Sequence, residues 1–159
     1  MQIKIKKGYH SLSILSCTRE DGTYTSGRLQ HGMEYHDLAH YVVEKTLDFD
    51  QGFYGLVCSG DNIEDFGLPR NIRPEHLMPK NLPLQSIQTE YIVNQLMLMT
   101  LQNNSDGFIA TLDHAFTLAN IPYPHNLNES TLQIILGKYG SLIKQWEALN
   151  ENDSISFTF

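Results

Sequence analysis

Cysteine, basic charge and long apolar runs are all scarce in this chain, and each scarcity closes off a class of function. Cys17 and Cys58 are the only cysteines. Without a CxxC pair or a spaced framework they build neither a secreted disulfide scaffold nor a zinc ribbon, and two buried thiols are the expectation. The most apolar stretch, Tyr91 to Leu101, is broken by Asn94 and Gln95 and is too short to span a bilayer. Met1 to His10 alternates Ile with Lys and lacks the apolar centre of a signal peptide. A cytoplasmic protein with no membrane partner is therefore expected, in which the Asn-x-Ser sequons at Asn103, Asn128 and Asn152 meet no glycosylation machinery. A glycine-rich phosphate loop, GxGxxG and GxSxG are all missing, which removes the common nucleotide and serine-hydrolase readings. The run Asp48-Phe49-Asp50-Gln51-Gly52 only approximates a calcium loop. Its glycine comes one place early, and Ser59 stands where the bidentate glutamate belongs.

Eleven Lys and Arg face 18 Asp and Glu, for a formal net charge of −7. Residues 1–30 carry Lys4, Lys6, Lys7, Arg19 and Arg28 against Glu20 and Asp21, whereas residues 34–65 carry eight acids against Lys45 alone. An acidic middle disfavours a nucleic-acid groove, which needs a basic stripe to displace counterions from phosphates. It suits a cation, or else forms an ordinary solvated face.

At 159 residues the chain has the length of one domain. Residues 2–6, 11–17 and 23–29 alternate apolar with polar side chains between turn formers, Gly8-Tyr9-His10 and Glu20-Asp21-Gly22, and predict a three-stranded antiparallel meander. Ser154 to Phe159 alternates in the same way and puts Ile155, Phe157 and Phe159 on one face, so it is expected to join that sheet. Between the strands, helices are expected at His36 to Phe49, Gly52 to Ser59, Gln85 to Asn103, Asp106 to Asn120 and Glu129 to Leu149, the last with Asn128 as its N-cap. Leu68 to Pro83 holds four of the six prolines and reads as an extended connection. The expected fold is a single α+β domain over residues 1–159, with a small antiparallel sheet packed against four to five helices in residues 36–150.

The chemistry concentrates in HDLAHYVVE. His36, His40 and Glu44 stand at i, i+4 and i+8, on adjacent turns of one helical face, with Asp37 in the same sector. Two imidazoles one turn apart can hold one metal ion, as in HExxH, where the intervening acid activates a metal-bound water. Asp37 takes that catalytic position here, one methylene shorter than glutamate. A third ligand is available in Glu90, which stands with Asn94 among apolar residues of the later helix. Gln88, Gln95 and Gln102, seven apart, mark that helix's expected wet edge, and the helix as a whole is expected to be the most buried. A buried Glu90 needs a partner, for which His36, His40, a cation, Arg70, Arg73 or a tyrosine hydroxyl are candidates. The metal-ligand set read from the sequence is thus His36, His40, Glu90 and Glu44, with zinc, manganese or iron as the divalent ion. A metal-free histidine-carboxylate cluster explains the same pattern. His114 beside Asp113 reads as an ordinary helix residue, and His10, His31, His76 and His125 fall in turns or coil.

The run HDLAHYVVEKTLDFDQGFYGLVCSGDNIEDFG, from His36 to Gly67, resembles the central segment of an uncharacterised family of small bacterial proteins with an HDLxHYxVE block followed by GF(F/W/Y)GL. Glu90-Tyr91-Ile92-Val93 and the closing Ser-Ile-Ser-Phe-Thr-Phe are similar to later stretches of that family. The resemblance implies no activity. Three readings follow: a divalent-metal hydrolase; a non-catalytic module or homodimer presenting Phe53, Tyr54, Tyr123 and Trp146 to a partner; and a pocket in which His36 and His40 bind a small anion.

Overall fold

The computed structural model describes residues 1–8, 12–102 and 107–159. The turn at Tyr9 and His10, the sequon at Asn103 and the expected helix start at Asp106 lie outside the described residues, as does the side chain of Gln102. Four strands, β1 (Gln2–Lys6), β2 (Ser13–Thr18), β3 (Tyr24–Leu29) and β4 (Ser154–Thr158), form an antiparallel sheet in the order β3-β2-β1-β4. The alternation has its usual cause, one face on the core and one in water. Ile3, Ile5, Leu15, Cys17 and Ile155 are buried, while Lys4 and Lys6 are exposed. In β4 only Ile155 is fully covered. Phe157 and Phe159 are half-buried and rest on Tyr41 and Tyr54, with ring centroids 4.2 and 5.9 Å apart.

The helices among the described residues are α1 (Met33–Leu47), α2 (Phe53–Ser59), α3 (Leu84–Gln102), α4 (Phe108–Ala119) and α5 (Glu129–Ala148). This is the α+β arrangement that the alternation and the helical periodicities predict. Helix α1 begins three residues before His36, because Glu34 ties it down in two directions. Its Oε2 accepts the Gly32 N–H at 2.8 Å and its Oε1 accepts the Ser13 hydroxyl at 2.5 Å, fixing the first turn to β2. Helix α5 begins where Asn128 predicts it, in a capping box with Thr131.

Helix α1, not α3, is the most deeply embedded element. Nine of its 15 residues are buried, since it packs against α3 and α5 and meets the sheet through Glu34 and Tyr41. The glutamine stripe expected on α3 is not its wet edge: Gln88 is buried and donates to the Pro122 carbonyl at 2.7 Å. Exposed positions instead include Glu90, Asn94 and Leu98, one turn apart, with Leu84 and Thr100 also exposed. The connection before α3 is more folded than its prolines suggest. It follows a 3-10 turn at Ile63–Gly67, holds another at Glu75–Leu77, buries Leu77, and is braced by Arg73 Nε donating to the Leu68 carbonyl at 3.0 Å. The Ile63 N–H donates to Thr25 Oγ1 at 3.0 Å, laying this segment over β3.

Cys17 is buried but Cys58 is exposed, because α2 is short and turns only one side to the core. Tyr54 and Trp146 are core residues and Phe53 and Tyr123 are half-buried, so these aromatics do not form an exposed patch. Removal of residues 154–159 is expected to lower unfolding stability by roughly 3 kcal/mol or more, from the burial of Ile155 and half of two phenylalanines. Urea denaturation of the truncated chain checks this, and an unchanged midpoint would contradict the packing role of β4.

Candidate metal centre

His36 and His40 occupy successive turns of α1, and the packing of α3 on α1 brings Glu90 across from both. His40 Nε2 lies 3.3 Å from Glu90 Oε1 and His36 Nε2 lies 3.9 Å from Glu90 Oε2. The two imidazole centroids are 4.6 Å apart and tilted by 54°. One donor atom from each of the three residues can be chosen so that all lie within 4.8 Å of one another. Donors around a single ion with bonds of about 2 Å sit roughly 3–3.5 Å apart, so the cluster needs only a small contraction to share an ion.

The opposite nitrogen of each ring is also held by a carboxylate. Asp37 Oδ1 lies 3.3 Å from His36 Nδ1, and Glu44 Oε1 lies 3.1 Å from His40 Nδ1. With Nδ1 on an acid, each neutral ring carries its proton there and turns the Nε2 lone pair toward the space in front of Glu90. Glu44 and Asp37, read from the sequence as a ligand and a catalytic base, are thus placed behind the rings. Glu44 is wholly buried, and its Oε2 accepts the backbone N–H groups of Tyr54 at 2.9 Å and Gly55 at 3.2 Å. Its lone pairs are therefore spent on His40 and on the first turn of α2. Asp37 is buried against His36, with one side facing the cavity described below.

Glu90 faces the two histidines as expected, but it is not the buried acid that its apolar neighbours in sequence predict. Its side chain is 48% exposed, because the α3 face it occupies opens onto a cavity. The buried acid that demands a partner is Glu44. Sequence reasoning also missed why GFYGL follows the histidine block. A Cβ on Gly52 would overlap the Glu44 carboxylate, and one on Gly55 would overlap the Asp50 carbonyl, so both glycines are there for close approach. The two glycines three apart were the available signal.

Burial disfavours a charged His40 ring, yet hydrogen bonds to Glu44 and Glu90 outweigh it and push the pKa up to about 10. His36 is raised as well, burial being overcome by Asp37 and Glu90. Burial would raise the Glu90 carboxyl, but the two imidazoles hold it well below the usual carboxylate range. The same site can therefore be filled by protons or by a cation. Burial, with a smaller push from Asp37 and against the pull of Arg19, lifts Cys17 to about 12, which makes it an inert thiol.

A cavity of about 550 Å³ opens in front of the three donors. Leu15 and Leu29 of the sheet, Phe53 of α2, and Ile63, Phe66, Leu77 and Leu82 of the connection supply its apolar walls, while Arg28 and Arg73 join Asp37 and Glu90 as its charged groups. Compared with protein-family models, with curated proteins and with solved structures, the chain finds no match in any of the three. No helix among the described residues is long and apolar enough to cross a membrane.

Two consequences can be measured. Gly52→Ala is expected to cost about 1–3 kcal/mol, the usual penalty for overpacking a closed site, since Glu44 must give way and release both His40 and α2. A variant as stable as the parent in urea would show that Glu44 can move freely. The second concerns pH. A folded-state His40 pKa above the ordinary 6.5 means that stabilisation from the charged ring is complete below about 6.5 and fades as pH climbs toward about 10. Unfolding free energy of the metal-free protein should accordingly fall across that window, and His40→Gln should flatten the decline. Equal slopes for the two proteins would remove His40 as the titrating group.

Proposed function

We propose that the protein is a divalent-metal enzyme in which His36, His40 and Glu90 hold the ion and the adjoining cavity takes the substrate. The observation that carries this reading is the paired orientation of the rings. Each imidazole has Nδ1 on its own carboxylate, Asp37 or Glu44, and Nε2 turned toward Glu90. Metal-binding histidines are generally oriented this way, because the carboxylate fixes the tautomer and raises the basicity of the ligating nitrogen. Three protein donors facing a cavity leave coordination positions open, as in catalytic rather than structural sites. The donor set suits zinc, manganese or ferrous iron.

Such an ion would act as a Lewis acid and lower the pKa of a bound water, which points to hydrolysis as the reaction class. The protein's own residues would hold the ion, present its open side to the cavity and restrict water through the Phe53 and Phe66 walls. Asp37 and Glu44 are positioning residues in this scheme. On this reading, the HDLxHYxVE and GF(F/W/Y)GL blocks of the family that the chain resembles are one unit: the first supplies two ligands and Glu44, and the second supplies the backbone that Glu44 caps.

A second reading has a specific observation in its favour. The 3.3 Å separation of His40 and Glu90 is already close to hydrogen-bonding distance, so a protonated histidine pair closed on Glu90 would form a polar ligand pocket without metal. Metal analysis separates the two. Tag-free protein expressed with supplemented zinc, manganese and iron is expected to carry about one equivalent of ion, and the His36→Ala, His40→Ala double variant essentially none. A wild-type protein that stays metal-free after incubation with each ion would exclude the enzyme reading and leave the protonated pocket.

A further inference from the structure

In the metal-binding state, where the ion takes the place of the ring protons, His36 and His40 are neutral and the other charged groups of the cavity lining cancel, Asp37 and Glu90 against Arg28 and Arg73. A divalent ion on the two neutral imidazoles and Glu90 adds two positive charges, of which Glu44 behind His40 answers one. The loaded site is therefore left with one positive charge beside an apolar wall. Arg73 is half-buried, and only its Nε is used, on the Leu68 carbonyl. Among the described residues no carboxylate lies within ion-pair distance of its guanidinium, where every ion pair involves a histidine. A partly buried guanidinium without an acid, lining the same cavity as the three candidate metal donors, has donors left for an oxyanion.

We propose that the cavity binds a small organic oxyanion, a carboxylate or phosphate ester with an apolar body, held between the metal and Arg73. This rests on the metal reading for one of its two anchor points. Arg73 engages the acidic group through its free Nη atoms, Arg28 adds positive potential from the edge strand β3, and the apolar body packs against Phe53, Phe66 and Leu77. The volume of about 550 Å³ accommodates a ligand of that class.

The test uses the full chain with manganese and three probes of one shape: phenylacetate, phenyl phosphate and uncharged phenylacetamide. Metal uptake is measured first, so that failure of the centre is recorded before any anion is added. Calorimetric titration is then expected to show at least one anion binding about tenfold or more tighter than the amide, weakening by about tenfold in Arg73→Gln and in metal-free protein. Which anion binds tells carboxylate from phosphate. Arg73→Gln should keep its one equivalent of metal. If it does not fold, Arg28→Gln, at an exposed strand position, takes its place and should weaken the anion alone. The proposal is overturned if the amide binds as well as the anions, if neither arginine variant changes anion affinity while metal uptake stays intact, or if anion affinity is the same with and without metal.

Discussion

Glu44 is the group on which the surrounding structure depends. A carboxylate with no solvent contact is sustainable only if both oxygens are satisfied, and the chain satisfies them from two directions: the His40 ring one helical turn away, and the first backbone N–H groups of α2. That double engagement sets the distance between α1 and α2 and brings Phe53 beside His40, 5.8 Å between ring centroids. It also requires Gly52, since any side chain there would occupy the carboxylate's space. A single buried acid thus couples the orientation of a pocket histidine to the packing of the neighbouring helix.

The same economy extends to the other ring. His36 is held by Asp37 next to it in the chain, and α3 delivers Glu90 to both histidines from the far side. The result is a row of acid, imidazole, acid, imidazole, acid in which every ring nitrogen faces oxygen. Such a row is stabilised by added positive charge, whether as protons or as a bound ion, and at its inner end, where His40 and Glu44 are buried, that charge is little screened by bulk water.

Parts of this were legible in the sequence for good physical reasons. The strands showed themselves because one face is dry, and Ser154–Thr158, alternating in the same way, pairs with β1 while helix aromatics cover its phenylalanines. His36 and His40 were bound to share a face at i and i+4 on any helix. Glu90 was selected because it stood among apolar residues, but α3 borders a cavity, and tertiary packing rather than local composition decides which side of a long apolar helix stays wet. Gln88 shows the converse: a residue that reads as solvated is buried because a carbonyl at Pro122 receives its amide. The role of Glu44 could not be read from periodicity, since its partners are main-chain groups ten and eleven residues on. Nor could the cavity, whose walls come from four separate stretches of chain.

The donors and the walls have different structural origins. His36, His40 and Glu90 ride on α1 and α3, whereas much of the apolar wall and Arg73 belong to residues 63–82, a stretch of short 3-10 turns and prolines outside the main helices. Connections of this kind accept insertions and replacements that helices packed in a core do not. The pocket's shape and charge can therefore diverge between descendants of this chain while the His-His-Glu arrangement stays where it is, so that molecular selectivity and the polar centre evolve at separate rates.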